Sequence, residues 1–477
     1  MDKKILEPFV RSEVLSPESS LRGYVIDSKG NSLFNRPLFY RLEKYVRDFL
    51  VGMDKNRWII MPGLRGTGKT TILAQIYFNL INDKKISASN ILFLPMDRIS
   101  KLMKSDLYEV ITLYEEMVGK KLEESPEKLF LLIDEAHYDS KWDIACKAIF
   151  DRTKNVFILV TGSSALALHS ADSARRVQKE HLFPLSFIEY IMLKFRRTPV
   201  KSLKERIESI LLNSKDADVA FKSLKKIEPE AKTYWNKIDS REINKYITTG
   251  TLGFTLDLSE EEVYKRILTI LDKVVYEDLT KIKEFDRPTL SKIWNLLFYL
   301  SSSLDSVNLD SLSSKIGMAK PTLVSVLSIL EKSEIIYSIK AYGSPMKQVR
   351  KTPKYTFVAP AIKASLLAET GQLNYSTQIY GKLFEDVVAS YLYRIKETKG
   401  LLDIKYDSEE GGTDFIIMNK TDNKNIPLEV GYGEKSDKQV LQTMKKVNSK
   451  YGILISETNL EVKNNVLYLP KELFLLL

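Results

Sequence analysis

Arg57-Trp58-Ile59-Ile60-Met61-Pro62-Gly63-Leu64-Arg65-Gly66-Thr67-Gly68-Lys69-Thr70-Thr71-Ile72 is the stretch on which the reading of this chain turns. Residues 57–61 are a short, mostly apolar run of the kind that forms a strand buried on both faces, and 72–80 continue as an apolar helix. Between them, Gly63-x-x-x-x-Gly68-Lys69-Thr70 fits the P-loop pattern. Glycines there let backbone N–H groups turn inward around phosphate oxygens, and the N-terminus of the following helix attracts the anion. In that frame Lys69 reaches the β and γ oxygens and Thr70 holds a magnesium ion. Gly63, Leu64, Arg65, Gly66, Thr67, Gly68, Lys69, Thr70 and Thr71 are therefore the expected nucleotide-binding residues, with ATP and Mg2+ as the expected ligands.

Working outward, further apolar strands at 91–95, 129–133 and 156–161 alternate with helical segments, the pattern of a parallel α/β sheet. The strand 129–133 delivers Asp134 to the magnesium shell at its C-terminal end, with Glu135 beside it. A carboxylate in that place orients and deprotonates the attacking water, so the pair points to hydrolysis rather than nucleotide storage. The next strand ends in Thr161-Gly162-Ser163-Ser164, where a hydroxyl can contact the γ-phosphate or the water; Thr161 and Ser163 are both candidates. Arg175 and Arg176 follow, either as an arginine finger on a neighbouring subunit's phosphate or as an exposed basic pair. Asp134-Glu135-Ala136-His137 spells a DEAH box, but the C-terminal half carries no motif of the second motor lobe that DEAH-box helicases need. His137 then caps or polarises the acid, or packs.

The composition bounds the rest. A chain of 477 residues with 44% apolar and 28% charged residues is ordinary globular material with room for several domains. Lys plus Arg number 72 against 62 Asp plus Glu, and the net +10 has the sign of a polyanion-binding surface. Cys146 is the one cysteine, and His137, His169 and His181 are the three histidines. That excludes a disulfide framework and the usual Cys/His zinc sites, so any metal must sit on oxygen ligands. No apolar run approaches the roughly 18 residues of a membrane span. The opening Met1-Asp2-Lys3-Lys4 leads into no signal-peptide core, so the chain reads as cytoplasmic, with no membrane partner.

Five segments are expected: an N-terminal hairpin and extension (1–35), the P-loop core (36–182), a helical lid or linker (183–285), a winged helix (286–372) and a final α/β domain (373–477). The winged helix rests on a helical trio, with Gly317 at a turn and Pro321 in a first helical turn, followed by strands flanking a basic loop. Lys320 on its third helix and Lys347, Arg350, Lys351 and Lys354 in the wing are the expected phosphate contacts. Such contacts give non-specific, salt-dependent DNA binding; the alternative is a module for protein contacts or domain packing, with a homo-oligomer or a protein as partner. In the last domain, Asp414 and Glu429 each lie at a strand, close enough in sequence for neighbouring strands to aim both at one Mg2+, with Glu385 behind them on a helix.

Several motifs together resemble the archaeal AAA+ ATPase family: the P-loop from Pro62 to Thr71, Leu132-Ile133-Asp134-Glu135-Ala136-His137, Val160-Thr161-Gly162-Ser163-Ser164-Ala165, Ala174-Arg175-Arg176 and Phe183-Pro184-Leu185-Ser186-Phe187-Ile188-Glu189-Tyr190. The resemblance implies a P-loop AAA core, a winged helix and a C-terminal DUF4143-type region with a PD-(D/E)XK, restriction-endonuclease-like fold. It implies ATP hydrolysis more firmly than any cellular role. One position departs: the nuclease motif wants Glu-x-Lys, and Gly431 stands where the lysine belongs, leaving Lys435 or Lys438 to reach the same space. The expected function is Mg-dependent ATP hydrolysis coupled to DNA or partner binding through a winged helix and a degenerate nuclease-like domain. The alternatives are a nucleotide-gated signalling or defence switch of the STAND kind, an active metal-dependent nuclease under ATPase control, and a non-catalytic chaperone or toxin–antitoxin partner.

Overall fold

Four apolar segments near the N-terminus, β1 (Trp58–Pro62), β2 (Ile91–Pro95), β3 (Leu129–Asp134) and β4 (Val156–Gly162), pair with a short polar strand, β5 (Gln178–Lys179), as a five-stranded parallel sheet in the order β2-β3-β4-β1-β5. The structure is a computed structural model that describes residues 3–27, 29–53, 55–162, 175–282, 285–303, 308–374, 376–433 and 435–477. Every residue of β1 to β4 is buried, because helices cover both faces of the sheet. Successive side chains point to opposite faces. Ile59 and Met61 share a core with the helices Pro37–Leu50 and Lys69–Asn82, while Trp58 and Ile60 pack with Leu107–Val118 and Trp142–Arg152. Asp106 and Glu109 close a capping box at the start of Leu107–Val118, which satisfies backbone donors that no helical carbonyl can reach. β4 lies between β1 and β3, so the C-terminal ends of these three strands stand side by side.

The N-terminal extension keeps a short form of the expected hairpin, behind helices that were not expected. Short helices at Lys3–Phe9 and Glu18–Arg22 precede a single antiparallel bridge, Ile26 with Ser32. The Asp27 carboxylate accepts hydrogen bonds from the backbone N–H groups of Lys29 and Asn31, so a side-chain-capped turn replaces a longer ladder.

The chain divides into two compact units, Met1–Phe183 and Pro184–Leu477. In the second, β6 (Ile336–Ala341), β7 (Lys354–Phe357), β8 (Leu402–Tyr406), β9 (Phe415–Asn419), β10 (Lys424–Val430), β11 (Gly452–Ser456), β12 (Glu461–Lys463) and β13 (Val466–Pro470) make one mixed sheet, ordered β12-β13-β11-β10-β9-β8-β6-β7. The helical trio expected at 286–372 is present as Arg287–Ser302, Leu309–Ile316 and Lys320–Lys332, with Gly317 ending the second helix at a φ of 65°. Its β6–β7 hairpin does not stand apart: Lys340 and Ala341 pair in parallel with Lys405 and Tyr406 of β8. The segments 286–372 and 373–477 therefore share a sheet. The basic loop of the wing is also different, since Pro345–Arg350 is a short helix whose N-cap, Ser344, accepts from the Lys347 N–H.

The segment expected as a helical lid or linker belongs, from Pro184 onward, to this second unit. Its helices Phe187–Phe195, Leu203–Asn213, Ala217–Trp235 and Arg241–Thr248 bury Phe187, Ile207, Leu224 and Tyr246 in one core with Phe384, Tyr391, Phe415 and Phe474. Their apolar faces need a partner, and the C-terminal α/β layer supplies it. The buried pair of Arg394 and Glu189, at 2.8 Å, fixes the first of these helices to the long helix Thr377–Lys399. Among the described residues, no helix is long and apolar enough to cross a membrane.

Candidate functional site

The turn between β1 and the helix Lys69–Asn82 takes the shape that its glycines permit. Gly66 and Gly68 have φ of 87° and 98°, a region costly for residues with a β-carbon. Gly63 is required for a different reason: a β-carbon there would meet the Leu182 carbonyl oxygen at 2.5 Å. Gly68 caps the helix without a side chain, so the first helical N–H groups have no side-chain acceptor in the cap. Thr67 folds its hydroxyl back on the Leu64 carbonyl at 2.8 Å. Lys69 is 4% exposed, and its ammonium donates to the carbonyls of Gly63 (3.0 Å) and Leu64 (3.3 Å) and lies 3.6 Å from Glu135 Oε1. Leu64 is buried, Arg65 donates to the Tyr138 hydroxyl at 3.2 Å, and Thr71 lies in the first turn of the helix.

The strand order brings the remaining groups in. Thr70 Oγ1 donates to Asp134 Oδ2 at 2.7 Å, and Thr161 Oγ1, at the end of the intervening β4, donates to Asp134 Oδ1 at 2.5 Å. Glu135 has a φ of 51°, an uncommon conformation for a residue with a side chain, and its N–H donates to Thr161 Oγ1 at 3.1 Å. Thr161 thus serves both acids. Burial and the neighbouring Glu135 charge push Asp134 up to about 6, against the hydrogen bonds from Thr161 and Thr70. Burial also works against ionisation of Glu135, but Lys69, followed by His137 and Arg65, outweighs it and holds this carboxyl below its ordinary value. His137 Nδ1 is 3.3 Å from Glu135 Oε2.

The residues fit a magnesium ion. Thr70 and Asp134 offer hard oxygens, and their 2.7 Å separation is close to that of neighbouring ligands in an octahedron, about 2.9 Å for metal–oxygen bonds of about 2.1 Å. Of the other residues expected here, Ser163 lies outside the described residues. Arg176 is paired with Asp151 at 3.1 Å, and Arg175 is exposed. Sequence reasoning missed Arg36. Buried beneath the turn, it donates to the Thr67 carbonyl at 3.0 Å and the Phe183 carbonyl at 2.9 Å, holding the loop from below. No local signal marks it, because its acceptors lie far along the chain.

The second unit gathers the C-terminal acids differently from the expectation. Glu429 is fully buried; its Oε2 accepts from the Asp414 N–H at 2.9 Å, and Asp414 Oδ2 accepts from the Val430 N–H at 3.0 Å. Lys435, rather than Lys438, reaches this place: its ammonium pairs with Glu429 Oε1 and donates to the Val430 carbonyl at 2.9 Å. Gly431 makes room for it, since a β-carbon at 431 would stand 3.0 Å from Lys435 Cβ and 3.2 Å from its Cδ. Lys354, expected as a phosphate contact, bridges Glu385 Oε1 and Asp414 Oδ1, the latter at 3.0 Å. Burial disfavours its charge, but Asp414 and Glu385 overcome this and raise its pKa above the ordinary lysine value. Burial and the Asp414 charge push Glu429 up to about 7.

This centre does not fit the divalent ion expected at Asp414 and Glu429. An ammonium already stands between Glu385 and Asp414, and among the described residues no three Asp, Glu, His or Cys side chains are grouped to hold a metal. The basic wing is correspondingly reduced. Lys320, still exposed, is paired with Asp310 at 2.7 Å, Lys347 is paired with Glu409 at 3.0 Å, and Arg350 and Lys351 are exposed.

Comparison with known proteins fits this geometry. The family profile described as an AAA domain matches residues 55–191, and a domain of unknown function, DUF8612, matches 240–373, where a DUF4143-type region was expected further along the chain. An uncharacterised protein of Methanocaldococcus jannaschii is 39% identical over 439 residues, spanning 92% of this chain and 87% of its own. An uncharacterised protein of Haemophilus influenzae is 22% identical over 72% of this chain and 78% of its own. Among solved structures, the Aeropyrum pernix ORC2 protein in its ADPNP–ADP complexes superposes with a TM-score of 0.36 at 11% identity, covering 74% of this chain and 93% of that one. With the AAA profile on the unit that holds the P-loop, and with 39% identity along nearly its whole length, the chain belongs to the same family of AAA-domain proteins as the Methanocaldococcus jannaschii protein.

Proposed function

We propose that the protein hydrolyses ATP at the P-loop of its first unit, and that its second unit engages DNA or a protein partner through a nuclease-like domain without a divalent ion at its acidic centre. The observation that carries the first part is the hydroxyl of Thr161, bonded to Asp134 and accepting from the Glu135 backbone, which fixes both acids beside Lys69 and Thr70. In this reading the glycine turn and Lys69 bind the phosphates, and Thr70 and Asp134 hold the magnesium, which screens phosphate charge when bound. Glu135 is the base. Its carboxylate, beside Asp134 and Lys69, is placed to orient the attacking water and accept its proton. Arg175, exposed where Arg176 is paired, is the remaining candidate for an arginine finger in an oligomer.

Steady-state turnover tests the assignment. Glu135→Gln should bind ATP as the wild type does while turnover falls by about 100-fold or more, the usual scale for a positioned base; unchanged turnover would remove Glu135 from this role. The DNA part rests on Arg350 and Lys351 at the end of the exposed helix Pro345–Arg350. Duplex DNA should raise turnover in a salt-sensitive way, and so few exposed cations, Arg350 and Lys351 with Lys320 beside them in an exposed ion pair, predict a shallow salt dependence. Absence of both stimulation and binding would favour a nucleotide-gated switch that acts on a protein. Met346 and Val349, 60% and 83% exposed on that same helix, favour a macromolecular partner of either kind.

A further inference from the structure

We propose that Lys354 is the resident cation of the acidic centre in the second unit, standing where a divalent ion would otherwise bind, so that removing its charge creates a metal site. The inference rests on the nuclease-like reading of this unit and deepens it. Three carboxylates, Glu385, Asp414 and Glu429, meet two ammoniums, Lys354 and Lys435. The formal balance is three negative charges against two positive, leaving one. Without Lys354 the remainder is two, the charge that a divalent ion neutralises.

The geometry is as specific as the charge. Lys354 touches one Glu385 oxygen and one Asp414 oxygen, while the second Asp414 oxygen is occupied by the Val430 N–H. Lys354 opens β7 with its backbone paired to Ile339 of β6, and its ammonium lies 5.3 Å from the centre of the Phe415 ring. The chain leading to it is anchored as well: the Tyr406 hydroxyl donates to the Thr352 carbonyl at 2.6 Å, and Lys347 pairs with Glu409. The ammonium is therefore held by its own strand in the centre of the acids. It is a covalently attached counter-ion that cannot diffuse away.

The test is Mn2+ binding to full-length, nucleotide-free protein, read by electron paramagnetic resonance and by melting temperature with and without the ion. An Asp134→Asn background removes uptake at the nucleotide site. Lys354→Met should gain about one Mn2+ per chain, bound at least about tenfold more tightly than by its parent, the scale on which 1.4 kcal/mol is felt. Adding Asp414→Asn should abolish the gain. Lys354→Gln, whose amide still donates to one carboxylate, is the second variant and should show the same gain. If the parent already takes up Mn2+ in an Asp414-dependent way, Lys354 is not the resident cation, and the domain is nuclease-like with a divalent ion at its acidic centre. If the parent and both variants melt cooperatively yet none binds Mn2+ through Asp414, the inference and the nuclease-like reading fall together. The parent compared with its Asp414→Asn form decides the matter where both Lys354 variants fail to fold: uptake that depends on Asp414 overturns the inference, and its absence supports it.

Discussion

The Thr161 hydroxyl does two things with one oxygen, donating to Asp134 and accepting from the Glu135 N–H. A methyl in its place keeps the shape and loses both bonds. Thr161→Val should therefore lower turnover by about 10- to 100-fold, in line with losing one or two hydrogen bonds to a charged group, while nucleotide affinity, which rests on the glycine turn, changes little. Equilibrium binding of a fluorescent ATP analogue beside single-turnover hydrolysis separates the two. At this scale the nucleotide site was legible because its residues are contiguous and their spacing has a mechanical reason. That the Thr161 hydroxyl faces Asp134 was not, since only the pairing of β4 with β3 brings the two together. Lys354 was read as a surface cation because nothing local announces partners 31 and 60 residues away, at Glu385 and Asp414.

At the scale of elements, the P-loop depends on a neighbour as much as on its own glycines. The Leu182 N–H donates to the Pro62 carbonyl at 2.9 Å, and the Leu182 carbonyl lies against Gly63. Gly63→Ala would put a β-carbon 2.5 Å from that backbone oxygen, which no side-chain rotation relieves. The expected outcome is a loss of about 1–3 kcal/mol in the first unit, the usual range for overpacking a close-fitted site, together with weaker nucleotide binding, both visible in thermal melts with and without Mg·ADP. Four of the five strands of this sheet were plain in the sequence as apolar runs too short for helices; the two-residue, polar β5 was not. The wing was misread: Ser344-Pro345 is a serviceable helix start, a capping serine before a proline in the first turn, but the basic residues after it suggested a loop.

For the whole molecule, the division at Phe183 and Pro184 predicts that each unit responds to its own chemistry. Burial, against the attraction of Lys363 at 3.0 Å, pushes Asp386 up to about 6 from an ordinary 3.8. Between those values the native chain keeps a proton that the unfolded chain has lost, so this group's contribution falls as pH rises from about 4 to about 6. Asp386→Asn should remove a slope worth on the order of 2–3 kcal/mol across that window. Calorimetry of the full chain should show the change in the transition of the second unit, and leave the one shifted by Mg·ADP untouched. A pH dependence identical in variant and wild type would refute the raised pKa. The sequence marked the break near 183 through the change from apolar strands to helical periodicity. It did not tell which unit the helices of 184–285 complete, because an amphipathic face states that it needs cover and not what covers it.

The parallel pairing of β6 with β8 carries a consequence for how this protein can be shortened or recombined. The domain profile that ends at residue 373 stops between two strands of one sheet. A chain cut there would keep the β6–β7 hairpin with its β6 edge newly opened beside the outer edge of β7, a template for pairing with other chains, and would leave the Lys354 ammonium without its acids. The reciprocal piece would keep Asp414 and Glu385 without their counter-ion. Pro184–Leu477 is thus one compact unit, and a boundary drawn on sequence similarity at 373 falls inside its sheet.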